Sequence, residues 1–531
     1  MDGANHGRKD SATLERRHLQ DAKRALGRKL RELRTARGLV QKDVARRVFS
    51  TRSTVANVEA GRQVADRVFW QQCDTILNGG GGLLDAYDAY RRLEMQYQTQ
   101  RSEAALRDRW GAAAEAALDR PPGSSTLSVH PRLAPVGQAG GDLISMIAAT
   151  IGEPFQAARA DHTIPAPGGR HFPGASVEAE IYPAIDDGRI VATIPRTDAG
   201  RQWRHPLQRR IVAGRAVTST SDGLFGLDSR HACQRLVDTG DDVRLLVPRA
   251  YQLDAITAAV LWAVANLDQS LLLDDARLDT TRTAAAEYSS LARSAVSADI
   301  GDDLDTVSRM WLGSAFCADH ISRQWDRLTE TPTFWTREQT GEEASTWLLF
   351  RHKLRYLQAT AKRSATSSSS QRSTRMFCVP RSAVETSTES ERILLLLAIA
   401  LMESFGIDTA VTDEPEYGTL PGLVLTPQRA IVATWLRADG VWHVDVTDQR
   451  AAIAEYRDAA AHVQAHSVIA GDTTGSRMQA LADYLNLDWT RLRHRCAELG
   501  DHGLAGIAEP RSRLLCLDGI DRACRFVGSL P

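Results

Sequence analysis

The chain has 531 residues, 43% of them apolar and 25% charged, with a formal net charge of −1. That length exceeds what one hydrophobic core supports, and the composition is that of folded globular protein rather than a disordered or collagen-like chain. The small net charge conceals a split: over residues 1–62, 16 Lys and Arg stand against 7 Asp and Glu, so this head carries +9 and the remainder −10.

A basic head on an acidic body is the balance of a polyanion-binding module joined to domains that do not bind. The longest apolar run, ILLLLAIALM at residues 393–402, is about half of what a bilayer requires and predicts a buried helix. No membrane partner is expected. The N-terminus is polar, without an apolar signal region. Seven cysteines with no CxxC pair point to a reducing cytoplasm.

Residues 1–22 are polar and are expected to be a frayed, disordered tail. Residues 23–80 then read as a compact four-helix unit. Leu26, Leu30 and Leu33 recur at helical spacing, and Gly38 supplies a C-terminal stop. In QKDVARRVFSTRSTVANVEAG, from Gln41 to Gly61, two short amphipathic helices flank a turn. The first gathers Val44, Ala45 and Val48 on one face, and Ala45 is small enough for two helix backbones to cross there. The second gathers Thr54, Val55 and Val58, leaving Arg52, Ser53 and Asn57 on another face. This is the layout of a helix-turn-helix, whose second helix enters the DNA major groove. A fourth helix is expected over 65–77, with Val68, Phe69, Cys73 and Ile76 inward.

LRELRTARGLVQKDVARRV and STRSTVANVEAGR resemble the Cro/repressor-type helix-turn-helix family, also called the xenobiotic-response-element family. The likeness covers residues 25–80. It implies double-stranded DNA as partner, with Gln41 anchoring a phosphate and capping its helix, and Arg52, Ser53 and Asn57 reading bases. Arg52 has the geometry for a bidentate pair with guanine and Asn57 for one with adenine. Thr54 and Arg62 match phosphate-contacting positions, and Arg34 and Glu59 a structural ion pair. One position departs from the family: Phe49 stands where the turn usually holds Gly, which takes positive φ freely.

A GGGG run at 79–82 reads as a hinge. Residues 83–118 read as a long connecting helix, with Leu83, Tyr87, Tyr90, Leu93 and Tyr97 forming an apolar seam. That seam suits packing onto the C-terminal body or a homodimer on a palindromic operator. Residues 119–141, rich in Pro, Gly and Ser, form a linker.

The body reads as α+β, mostly helical, making the whole chain multidomain and mainly α. Residues 142–362 are expected to be an α+β sensor or assembly domain, opening with strands in VEAEIYPAI, RIVATIP, RRIVAGRAV and VRLLVPRA. HPLQRRIVAGR is taken as a solvated strand edge. Helices follow from Leu253, ending with EEASTWLLFRHKLRYLQATA as one helix. Residues 363–376 read as a flexible linker and 377–475 as a second α+β domain. Residues 476–531 have the outline of a winged helix, with PRSR at the wing tip.

No catalytic constellation emerges. Cys317 with His320, and His462 with His466, each lie one helical turn apart, yet zinc needs three or four ligands. GIDTAV, RAIVATWL and VWHVDVT resemble the strand core of papain-like transglutaminases. Asp445 matches that family's Asp, but no Cys or His stands at the other two positions, so no such chemistry is expected. Trp311, Trp325, Trp335 and Trp347 are candidates for lining a small-molecule pocket.

The expectation is therefore a sequence-specific, cytoplasmic, nucleoid-associated transcriptional regulator with no enzyme activity, metal or cofactor. Its body is expected to sense a small molecule or protein effector, in the manner of the large C-terminal regions of actinobacterial regulators. The alternative is an enzyme or interaction scaffold that uses the head for targeting.

Overall fold

The N-terminal helix is longer than its apolar repeat requires. In this computed structural model, α1 runs Gly3–Ala36, so the tail expected over residues 1–22 is helical from residue 3 onward. The structure describes residues 3–93 and 159–531, apart from 49, 66, 92, 200–202, 204–208, 218–221, 239–241, 290–293, 302, 326–327, 329, 367–371 and 435–440. The chain divides into two units, Met1–Gln138 and Ala139–Pro531.

In the first unit, α2 (Gln41–Arg47), α3 (Arg52–Glu59) and α4 (Arg67–Ile76) follow α1. A helix α5 includes residues 82–91. Gly38, at φ +65, ends α1 in the left-handed region that glycine adopts without strain. Leu26 and Leu30 of α1, Val44, Ala45 and Val48, Val55 and Val58, and Phe69, Trp70 and Cys73 share one core. Val68, expected inside, is 45% exposed, and the fully buried Trp70 takes the central place. Leu83, Tyr87 and Tyr90 join this same core. These three residues of the expected seam are thus used within the domain. Tyr97 and the rest of the 83–118 helix beyond 93, like the 119–141 linker, lie outside the described residues.

The second unit contains two seven-stranded sheets. The first is built from β1 (Ala160–Ala166), β2 (Ala175–Asp186), β3 (Ile190–Pro195), β4 (Arg210–Val217), β5 (Asp222–Asp228), β6 (Leu236–Asp238) and β7 (Asp242–Val247). Its order is β5-β4-β2-β3-β7-β6, with β1 against β2; β2 and β4 run parallel and the other pairs antiparallel. β4 is therefore an interior strand, not the solvated edge expected. Its basic run is absorbed by ion pairs: Arg209 bridges Asp228 (2.8 Å) and Asp268 (2.6 Å), and Arg210 meets Glu180 (2.5 Å).

The second sheet takes β8 (Ser294–Ser297), β9 (Thr333–Thr336), β10 (Thr374–Cys378), β11 (Asp408–Thr412), β12 (Gly422–Leu425), β13 (Ala430–Thr434) and β14 (Val441–Thr447). The order is β11-β10-β9-β12-β13-β14-β8, with β9, β10 and β11 parallel. The Ser-rich stretch does not separate two domains. β10, just after it, pairs directly with β9, which lies before it.

The apolar run at 393–402 lies in the helix Glu389–Ser404, buried as expected, beside the helices Ala255–Leu273, Gly341–Leu349 and Asp518–Ser529. Ala255–Leu273 is long and apolar enough to cross a membrane, and most of it is buried inside the protein. The single helix expected over EEASTWLLFRHKLRYLQATA is two, Gly341–Leu349 and Arg351–Thr366, broken at Phe350. There residues 514–516 intrude as an isolated bridge to Phe350: Arg351 N–H donates to Leu514 O and Cys516 N–H to Leu349 O.

No wing forms at the C-terminus. Residues 474–531 hold only the helices Thr474–Tyr484, Trp489–His502, Ala505–Ala508 and Asp518–Ser529. Ile520, Ala523, Cys524 and Val527 recur at helical spacing and are buried, which makes this stretch a packed helix instead of a hairpin. The PRSR segment is tied inward, because Arg511 and Ser512 N–H both donate to the Asp268 carboxylate.

Candidate nucleic-acid interface

Three side chains fix how α1, α2 and α3 meet. Arg34, near the end of α1, donates from Nε to Glu59 Oε1 (2.5 Å) and from Nη2 to Oε2 (3.1 Å). Its Nη1 donates to Leu39 O (2.7 Å), fixing the loop into α2. Gln41, the first residue of α2, donates from Nε2 to the same Glu59 carboxylate (2.9 Å). Glu59 is the last residue of α3, so one buried carboxylate ties the three helices together. The expected Arg34–Glu59 pair is formed. Gln41 belongs to the same network, which orients its amide at the start of α2.

α2 begins with Asp43 accepting from Val40 N–H (3.1 Å), which satisfies one free donor of its first turn. Val44 and Ala45 are buried, as are Val55 and Val58 of α3. Ser50 N–H donates to Ala45 O (2.8 Å) across the turn; Phe49 itself lies outside the described residues. α3 is capped by Thr51, whose hydroxyl accepts from Thr54 N–H (3.1 Å). That hydroxyl also meets Ser53 Oγ (2.8 Å) and Thr54 Oγ1 (2.9 Å).

Arg52 and Ser53 are exposed, and Thr54 and Asn57 half-buried. Arg52, Ser53 and Asn57 thus lie off the face that buries Val55 and Val58. Arg62 is exposed, its backbone held by Asn57 O (2.9 Å). Exposed Arg46 and Arg47 at the end of α2 add positive charge.

A close helix crossing also falls at Gly27. A Cβ on Gly27 would stand 2.3 Å from Val58 O and 2.8 Å from Glu59 O, so α1 rests backbone to backbone on α3. A glycine between the buried Leu26 and Leu30 was the available sequence signal. Asp74 is a second residue not singled out from sequence. Its buried carboxylate accepts from Gly81 N–H (2.6 Å) and Leu83 N–H (2.7 Å). With Gly80 at φ +61 and Gly81 at φ +87, the GGGG run is a clamped turn into α5, not a hinge. Trp70 donates from Nε1 to Ala65 O (3.0 Å) and stacks on Tyr87 at 6.1 Å. Cys73 is sealed below; burial, with Glu59 and Asp74 adding to the effect, pushes its thiol up to about 12 and keeps it an inert thiol.

In the second unit, no group of three or more His, Cys, Asp or Glu among the described residues is arranged to hold a metal. Cys317 and His320 are buried on the helix Thr306–Gln324. His462 and His466 stack on each other at 4.3 Å, and His462 Nε2 meets Glu414 Oε1 (2.8 Å). The four tryptophans do not line one pocket. Trp311, Trp325 and Trp347 belong to the main core, and Trp335 to a separate cluster on the other side of β9. Asp445 lies in β14, opposite Val432 of β13.

A helix-turn-helix domain family matches residues 25–86. The match takes in α2, α3, α4 and the clamped turn, so this part of the chain is a helix-turn-helix module. No curated protein and no solved structure matches the chain.

Proposed function

We propose that this chain is a sequence-specific, double-stranded-DNA-binding transcriptional regulator. Arg52, Ser53 and Asn57 of α3 read base edges, and Gln41, Thr54 and Arg62 hold the phosphate backbone. The observation that carries this reading is the Arg34–Glu59–Gln41 network. It holds α3 rigidly while leaving Arg52 and Ser53 exposed on a domain of net positive charge. Preorganised polar side chains on a rigid helix are what direct readout requires.

The reading extends to a cytoplasmic protein that binds a two-fold operator as a homodimer and works without catalysis or a cofactor. Its second unit biases DNA binding in response to a small-molecule or protein effector. Selection of bound duplexes from a random library, followed by gel shift with the purified full chain, tests the core of it. A recurring sequence enriched by wild type and lost by Asn57→Ala is the expected result. Equal retention of all duplexes would remove sequence-specific binding from the account.

A further inference from the structure

We infer that the interior of the second unit receives a small monocarboxylic acid, whose carboxylate pairs with a buried edge of the Arg375 guanidinium. In its role as effector this acid rests on the effector reading above; as a binding site it stands on its own geometry.

Arg375 lies in β10 and is 3% exposed. Burying a guanidinium without a negative partner is costly, and Arg cannot shed its proton to escape the cost. Two aromatic rings pack on it: Cζ stands 4.5 Å from the centroid of Phe334 and 4.7 Å from that of Trp347. Its Nη1 donates to Thr336 Oγ1 (3.0 Å). Nε and Nη2 are buried and find no hydrogen-bond partner within the protein.

These two nitrogens form one edge of the guanidinium, the fork that a carboxylate fills with two parallel bonds. The chain uses that edge in this way elsewhere. Arg34 offers Nε and Nη2 to Glu59, Arg477 offers them to Glu403 (3.1 and 2.7 Å), and Arg159 to Asp161 (2.9 and 3.1 Å). At Arg375 the same fork is presented with no carboxylate of the chain against it.

The neighbouring charges set the valence of what it accepts. Lys353 is buried too, and its Nζ donates to Glu338 Oε1 and Thr346 Oγ1, both at 2.7 Å. Glu343 is engaged by the N–H groups of Gln339 (2.7 Å) and Thr340 (3.3 Å) and by His171 (3.3 Å). Tyr356 stands beside Arg375, but burial pushes its phenol up, so it brings no negative charge. Arg375 and Lys353 thus share one carboxylate, Glu338, and a single further negative charge balances the group. That favours a monocarboxylate over a phosphate dianion. The surroundings are aromatic: Trp325 lies 6.0 Å from both Phe334 and Tyr356, and Trp347 lies 6.3 Å from Tyr356. Trp347 Nε1 is a further buried donor without an acceptor. Apolar walls with a few convergent polar groups suit an acid with an aromatic or branched body.

The test titrates the purified full chain, in carboxylate-free buffer, with acetate, isobutyrate and benzoate. Chloride and inorganic phosphate at matched ionic strength are the controls. Amide exchange of β9, β10 and the helix Arg351–Thr366 is read, with DNA gel shift alongside. At least one acid should slow exchange there saturably at millimolar concentration or below, and the controls should not. Arg375→Met should abolish the response. Arg375→Lys keeps the charge, loses the fork and should weaken the response by at least about tenfold; it carries the comparison if the Met variant does not fold. The inference is overturned if no acid protects, if chloride or phosphate protects equally, or if the variants respond as wild type does. If an acid binds through Arg375 while DNA affinity stays constant, the site is upheld and the effector reading falls.

Discussion

Arg34 and Glu59 face each other across the α1–α3 contact with two parallel hydrogen bonds, at 2.5 and 3.1 Å, and both side chains are almost wholly buried. Gln41 shares the carboxylate. Removing either charge leaves its partner buried without compensation, which typically costs about 3–5 kcal/mol. Glu59→Ala should therefore open the first unit, seen as faster amide exchange in α1 and α3. Peptides from the second unit should exchange as in wild type. Unchanged protection in α1 and α3 would show that the pair is dispensable.

Gly27 and Gly38 separate two roles of glycine. Gly27→Ala forces a Cβ into the carbonyls of Val58 and Glu59. Backbone cannot yield as a flexible side chain does, so a loss of about 1–3 kcal/mol is expected, with α3 displaced. Gly38→Ala meets nothing within 4 Å and only strains a φ of +65. Its cost should be about 1 kcal/mol. Denaturant unfolding of both variants, with DNA affinity measured alongside, should show Gly27→Ala as the more damaging in each.

Asp74 organises the glycine turn through two charge-assisted bonds, to Gly81 and Leu83. Such bonds contribute roughly 1.5–3 kcal/mol each when the acceptor is ionised. Asp74→Ala should loosen α5, freeing Tyr87 from Trp70. Limited proteolysis should then cut near residue 80 in the variant and not in wild type.

The second unit carries a pH signature. Glu342 is buried and accepts from the N–H groups of Arg170 (3.1 Å) and His171 (2.7 Å). Burial pushes its carboxyl from 4.5 up to about 7, with Glu391 adding to the rise and the His171 charge opposing it. The folded chain thus holds this proton more tightly than the unfolded one. The associated stability is complete below about pH 4.5 and is lost as pH rises through about 7. Thermal unfolding across pH 5–8 should show wild type falling relative to Glu342→Gln. Parallel curves would contradict the assignment.

The helix-turn-helix was legible because its signal is local. Val44, Ala45, Val48, Val55 and Val58 repeat with the helical period, and Arg34 and Glu59 stand where the resembled family places an ion pair. What escaped was set by distant partners. Gly27 matters only because Val58 and Glu59 lie above it, and Asp74 only because residues 81–83 turn back onto it. In the body, VEAEIYPAI and VWHVDVT announced β2 and β14 through alternation. Short strands such as β9 and β10 gain their identity from each other, across a Ser-rich stretch that reads as a domain boundary. The supposed wing failed for the same reason. Asp268, more than two hundred residues upstream, holds the PRSR backbone.

The central claim is direct base readout by α3, and the decisive measurement is the base preference of Arg52→Ala and Asn57→Ala at each position of the selected operator. Each variant should lose roughly 1–3 kcal/mol of discrimination at one base pair per half-site and keep its preferences elsewhere. Preferences identical to wild type at every position, with only a uniform loss of affinity, would show that this helix does not read sequence.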